Sequence, residues 1–304
     1  MTQSYSLILD TDIGTDIDDL LALGFLLNSP EVDLIGITCV YGDVALRAQI
    51  TLTALQKYGQ NVPVYLGAEL PLLRQRDVYW GGHEGEGITD QGAAPLPVSE
   101  GFGPSYIVDT IRANPGKVHV AAIGPLTNIA LALQQAPDIA EKVASFIIMG
   151  GVIRGNDQLE LPIAEHNIIC DAQAAHVVFA SSAPILLTPL NITVQPQITQ
   201  AHLARIQAKD APFQQLLGDQ ISRYPRFARL GQTSPHDPLA LAAWLHPELV
   251  ETTQVDITVE TEGRISLGAT HAKANPEGNV QLVTKVDVPA FEALLVEKLE
   301  TEPA

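Results

Sequence analysis

The densest chemistry in the chain lies in LILDTDIGTDIDDLLAL, where Asp10, Asp12, Asp16, Asp18 and Asp19 fall within ten residues. Carboxylates held together repel one another unless protons or a metal ion intervene. A set of hard oxygen ligands selects a hard cation, Ca²⁺ or Mg²⁺. A helix start explains part of the cluster, because Asp16 can cap a helix and Asp18 and Asp19 favour its positive end. It leaves Asp10 and Asp12 unexplained. An EF-hand loop read from Asp10 fails, since it puts Gly14 at a ligand position and Leu21 where a glutamate is needed. A phosphohydrolase with a D-x-D nucleophile fits DTDIG better, but no lysine partner stands near a later strand end.

These residues need a scaffold, and the surrounding pattern supplies one. Apolar runs (YSLIL, VDLIGITCV, VPVYLG, KVHVAAIG, SFIIMGG, PILLTPL) alternate with amphipathic stretches such as DDLLALGFLLN, VALRAQITLTALQKYG, SYIVDTIRAN, PLTNIALALQQ and DAQAAHVVFAS. Strand and helix in turn predict an α/β fold with a mostly parallel sheet and helices on both faces. The continuous apolar strands suit a sheet covered on both sides. Helices are expected near 199–208, 212–223 and 237–246, then strands at VDITVE and NVQLVTKV and a closing helix at VPAFEALLVEKL. Residues 71–103 are rich in Gly and Pro and lack periodicity, which marks a functional loop. No linker is evident, so residues 1–304 read as one domain. In such sheets ligands bind outside the carboxyl ends of the strands. The aspartate cluster, VYGD (40–43), IGPLTN (123–128) and MGGVIRGN (149–156) all lie at such ends and should converge on one crevice.

Composition narrows the partners. The formal net charge is -18, with 46% hydrophobic and 17% charged residues. A duplex or an anionic membrane repels such a surface, which argues against nucleic acid and lipid partners. Cys39 and Cys170 sit in apolar segments and read as buried thiols of a reducing compartment. No apolar run reaches membrane-spanning length and no basic-then-apolar leader opens the chain. A cytoplasmic protein is expected.

With the strand-end loops aligned, the sequence resembles the inosine–uridine-preferring nucleoside hydrolases over nearly its whole length. Asp10, Asp12, Asp18 and Asp19 match the family's D-x-D…D-D, and GPLTNIALAL (124–133) its central motif. IMGGVIRGN followed by AEHN (164–167) resembles its ribose-binding segment, and HDPLA (236–240) its C-terminal metal motif. The resemblance implies a Rossmann-like α/β fold and Ca²⁺ bound by Asp12, Asp19, Asp237 and the backbone carbonyl of Thr127, with a water and the ribose hydroxyls completing the shell. It implies hydrolysis of the N-glycosidic bond of a ribonucleoside, with Asp12 as the base for the Ca²⁺-bound water and His236 as candidate acid for the leaving base. Asp18, Asn156, Glu165 and Asn167 would hold the ribose, and His83 would lie near the base. Trp80, Arg223, Tyr224 and Phe227 would close over the base or serve as packing. A homodimer or homotetramer is implied as well. A non-catalytic nucleoside-binding protein is the alternative outside catalysis.

The chain departs from the family twice. Five residues, IGTDI, separate Asp12 from Asp18, two more than the family spacing, and this adds Asp16. Asp43 stands where the family often has Asn. A carboxylate only accepts, so Asp43 would receive the ribose 2′-hydroxyl proton, with Arg47 one turn along the helix to neutralise it.

Overall fold

The computed structural model describes residues 4–89, 94–155 and 158–302. In chain order the elements are β1 (Tyr5–Thr11), α1 (Asp18–Leu27), β2 (Val32–Cys39), α2 (Val44–Tyr58), β3 (Val64–Leu66), α3 (Gly103–Ala113), β4 (Val118–Ala122), α4 (Thr127–Gln135) and β5 (Ser145–Met149). They continue with α5 (His166–Cys170), α6 (Ala172–Phe179), β6 (Ile185–Thr188), α7 (Leu190–Thr193), β7 (Ile198–Thr199), α8 (Gln200–Gln207), α9 (Pro212–Arg223), α10 (Pro225–Leu230) and β8 (Gln232–Thr233). The last are α11 (His236–Leu245), β9 (Val250–Val259), β10 (Thr270–Ala274), β11 (Val280–Val286) and α12 (Val288–Glu300).

Nine strands form one sheet in the order β10-β9-β11-β6-β5-β4-β1-β2-β3. From β3 to β11 neighbouring strands are parallel, and β9 runs antiparallel between β11 and β10. The expected α/β architecture with a mostly parallel mixed sheet is therefore what the chain adopts. The period of two along each strand divides its apolar residues between two cores. Leu7, Leu9, Ile147 and Met149 pack into one, and Ile8, Phe146 and Ile148 into the other. Helices cover both faces, so the central strands carry little but apolar residues.

The order fixes where a site can form. The chain runs outward from β1 through β2 to β3, then returns to the other side of β1 with β4, β5 and β6. The loops after β1 and β4 therefore part at a topological switch point, where a crevice opens at the carboxyl ends. Asp10 and Thr11 are the last residues of β1 and sit at that opening.

Several elements escaped the sequence pattern. THAKA carries no apolar alternation, yet it pairs as the edge strand β10 against β9. The helices α5 and α10 are single short segments without a full amphipathic period.

Asn128 straps the switch point together. Its Nδ2 donates to Asp10 Oδ1 at 2.7 Å and to the Cys39 carbonyl at 3.2 Å, and its Oδ1 accepts from Ala68 N at 2.8 Å. One buried amide thereby ties the ends of β1 and β2 to the chain leaving β3. Asn128→Ala takes the acceptor from Ala68 N and one of two donors from each of Asp10 Oδ1 and the Cys39 carbonyl, and should cost about 3 kcal/mol. Thermal unfolding should then show a midpoint lower by about 5–10 °C; an unchanged midpoint would refute the strap.

Candidate active site

The crevice is a cavity of about 510 Å³, within the usual range for a small-molecule site. The β1–α1 loop, the start of α5, the α9–α10 junction and the start of α11 wall it. Elements far apart in sequence are thus brought to one place, including the DTDIGTDIDD and HDP segments.

Asp18 and Asp19 open α1 and Asp237 lies in the first turn of α11. All three are buried, and one carboxylate oxygen from each lies within 4.8 Å of the others. Two oxygens bound to one Ca²⁺ can be no more than about 5 Å apart, so this triad fits such an ion. Burial pushes all three carboxyls well above the ordinary carboxylate range, and repulsion from neighbouring aspartates, Asp12 and Asp16 included, adds to it. Thr11 Oγ1 donates to Asp19 and holds one of its oxygens.

Asp12 lines the same cavity but its carboxylate turns toward a different charge. Arg47, wholly buried in α2, brings its guanidinium to 3.9 Å from Asp12 Oδ2. The same guanidinium donates to the Asp12 carbonyl, to Ile13 O at 2.9 Å, to Thr15 Oγ1 at 3.3 Å and to Tyr41 O at 2.6 Å. Exposed Trp80 covers it, with the ring centroid 5.1 Å away. Arg47 therefore moulds the β1–α1 loop rather than neutralising Asp43. Asp12 still stands close enough to the cluster for its charge to raise Asp19 and Asp237. Burial raises Asp12, while Arg47 and His166 work against that rise.

Two glycines admit this arrangement. A Cβ on Gly124 would lie 2.7 Å from Asp12 Oδ1 and 3.0 Å from Asp12 N. The glycine of GPLTN thus lets the loop after β4 close on Asp12. After β2, Tyr41 and Gly42 both have positive φ, 66° and 78°. The strain at Tyr41 is held by its carbonyl bond to Arg47 and by Tyr79 N, which donates to its hydroxyl at 2.8 Å.

The other expected residues divide. Glu165 caps α5, its oxygens accepting from Asn167 N, Ile168 N and Gly151 N at 2.8–3.1 Å, and burial raises it. Asn167 lines the cavity with its amide nitrogen committed to the Ile123 and Met149 carbonyls. His83 lines the cavity and bonds the Thr15 carbonyl through Nε2 at 2.9 Å. His236 lines it too, with Nδ1 2.8 Å from Thr193 Oγ1, and burial lowers it to about 4. Thr127 begins α4, and its hydroxyl donates to Asp171 Oδ2 at 2.7 Å. Asn156 lies outside the described residues.

Asp43 stands apart from the cavity. It is exposed and caps α2, accepting from Leu46 N at 2.9 Å. Among the aromatic and cationic candidates only Tyr224 lines the cavity. Phe227 is core, Trp80 covers Arg47, and Arg223 pairs with Asp219 at 2.7 Å. Asp10 is sealed from solvent, with Oδ1 accepting from Thr38 and Asn128, and burial raises it to about 7. A D-x-D nucleophile pair is therefore not presented to the cavity. Asp16 has a role that spacing did not suggest: its Oδ2 accepts from the Tyr224 hydroxyl at 2.7 Å, joining the β1–α1 loop to the α9–α10 junction. His166 was also missed. It lines the cavity, and although burial opposes its charge, Cys170, Asp12 and Glu165 push it up to about 9. Its position between Glu165 and Asn167 was the available signal.

Known proteins share this fold and much of this sequence. The family model described as inosine-uridine preferring nucleoside hydrolase matches residues 7–293. The chain belongs to that family. Its members are hydrolases of N-glycosyl bonds. A pyrimidine-specific ribonucleoside hydrolase, RihA, of Salmonella arizonae is 33% identical over 314 residues, covering 97% of this chain and 98% of its own. Among solved structures, the plant nucleoside hydrolase PpNRh1 superposes with a TM-score of 0.86 at 30% identity, over 98% of this chain and 99% of its own. A purine-preferring ribonucleoside hydrolase from Gardnerella vaginalis gives 0.85 at 29%, over 97% and 98%. No helix among the described residues is long and apolar enough to cross a membrane.

Because Asp18, Asp19 and Asp237 are raised on folding, the folded chain binds more protons than the unfolded chain between the two sets of pKa values. Stability of chelator-treated protein should therefore fall as pH rises above about 4, the unfolded carboxylate value, toward the raised folded-state range. Adding Ca²⁺ at pH 8 to about a hundred times its Kd should restore about 2.7 kcal/mol. Differential scanning calorimetry reads both; a midpoint indifferent to Ca²⁺ would exclude the cluster as a cation site.

Proposed function

We propose that this protein hydrolyses the N-glycosidic bond of purine or pyrimidine ribonucleosides, releasing free base and ribose, with Ca²⁺ as its resident cation. The observation that carries the reading is the buried Asp18–Asp19–Asp237 triad beside Asp12, in a cavity of nucleoside size at the switch point. Asp12, Asp19 and Asp237, with the Thr127 carbonyl, would hold the cation. When bound, it supplies a Lewis-acid centre that makes water more acidic and anchors sugar hydroxyls.

The chain's own residues do the rest. Asp12 takes a proton from the attacking water, and its raised pKa suits a base. Arg47 fixes its backbone through the Asp12 and Ile13 carbonyls, so the carboxylate is held in place before substrate arrives. Asp18 accepts from a ribose hydroxyl, and Glu165 and Asn167 close the sugar side, with Asn156 expected beside them. The carboxylates stabilise the positive charge that the ribose gains as the bond to C1′ breaks. His83, His236 and Tyr224 meet the base, whose departure needs a proton or a compensating charge. Asp43, exposed on α2, is given no part in the reaction.

We further propose that the chain acts as one domain in a homodimer or homotetramer, on the strength of the family resemblance. Two free, buried cysteines support a reducing, cytoplasmic setting. Sedimentation velocity measures the assembly.

Incubation with a panel of ribonucleosides and Ca²⁺ should release base and ribose; no turnover on any of them would sink the proposal. In Asp12→Asn, kcat should drop by about 10²–10⁴-fold, with the far-ultraviolet circular dichroism unchanged. Full activity in that variant would remove Asp12 from the base role.

A further inference from the structure

The cavity is charged unevenly. Its carboxylates come from the β1–α1 loop, the start of α5 and the start of α11, whereas the short helix α10 brings Arg226 and Arg229, one turn apart. The chain has 35 acidic residues against 17 basic ones. Even so, neither of these cavity-lining arginines forms an ion pair with a carboxylate among the described residues. Both are exposed at the cavity. Arg226 lines the same cavity as His236 and Tyr224, the groups assigned above to the base side. Tyr224 immediately precedes α10 and is tied through its hydroxyl to Asp16, so the junction that presents Arg226 is anchored to the β1–α1 loop.

We propose that Arg226 is a further catalytic residue: its guanidinium contacts the departing base and stabilises the negative charge that the base acquires as the glycosidic bond breaks. This rests on the nucleoside hydrolase reading above. When the C1′–N bond breaks, its electron pair leaves with the base nitrogen, and the ribose becomes cationic. Water adds to C1′ and its proton passes to Asp12, while the base takes a proton from solvent water and leaves neutral; Asp12 then returns its proton to solvent. Before that protonation is complete, negative charge spreads over the base's ring nitrogens and carbonyl oxygens. Arg is a permanent cation with several planar donors, so it meets such charge without itself giving up a proton. The carboxylates face the cationic half of the transition state and Arg226 the anionic half, so the field of the cavity lies along the charge separation of the reaction.

The test compares leaving groups. Full-length protein with Ca²⁺ is assayed on uridine, on inosine and on p-nitrophenyl β-D-ribofuranoside, whose departing nitrophenolate is stable without help. Arg226→Gln should lower kcat on the nucleosides by about 10²-fold, the loss seen when one oxyanion donor is removed, and leave the nitrophenyl riboside within about threefold. Arg226→Lys, which keeps the charge and loses the planar fork, should recover part of the nucleoside rate. Equal losses on all three substrates would overturn the proposal, as would no loss on any. If the unaltered protein cleaves none of the three, the hydrolase reading itself fails.

Discussion

Five carboxylates, Asp10, Asp12, Asp18, Asp19 and Asp237, are buried around the carboxyl end of one strand, and their charge must be met for the fold to persist. An isolated buried carboxylate is so unfavourable that it protonates or finds a partner. The structure meets the charge in separate ways. Asp10 is neutralised in part by a raised pKa and by hydrogen bonds from Thr38 and Asn128. Asp12 has the fixed cation Arg47. Asp18, Asp19 and Asp237 form no ion pair among the described residues, and in the proposed reading a divalent ion and a ribose hydroxyl meet that charge. The site is therefore built at the expense of local stability, with the strand ends around it tied down by Asn128 and Arg47.

The same bonds link the scaffold to the chemistry. Arg47 reaches from α2 to the loop after β1 and to the strained turn at Tyr41, so the first two strand ends are set by one side chain. Gly124 lets the loop after β4 approach Asp12 without a clash. Asp16 and Tyr224 extend the chain of contacts to the opposite end of the sequence. A change at Arg47, Gly124 or Asp16 reaches Asp12 through its positioning, although none of these three need touch a nucleoside.

Much of the fold could be read from residue patterns, because strands buried on both faces have an unambiguous apolar run. The exceptions have a common cause. The edge strand β10 is polar because one side of its ladder is open, and α5 and α10 are too short to show a helical period. At the site, residue type pointed to Asp12, Asp18 and Asp19, and the family resemblance added Asp237; the structure gathers all four around one cavity. Helical spacing suggested that Arg47 would face Asp43, but Asp43 caps its own helix and Arg47 turns inward, since a buried guanidinium surrounded by four acceptors is better satisfied than one at the surface.

The sequence by itself determined the α/β class, the crowding of aspartates and the placing of the motifs at strand ends. These are local properties, set by side-chain period and by residue type. Only the tertiary structure decided how the aspartates divide their work. Whether a carboxylate is sealed, paired with a guanidinium or left beside two others depends on groups 30 to 220 residues away, and no local spacing encodes those distances. Asp16 shows this most plainly. In the sequence it is one more acid in an acidic loop, and in the fold it holds Tyr224 and, with it, the wall that carries Arg226.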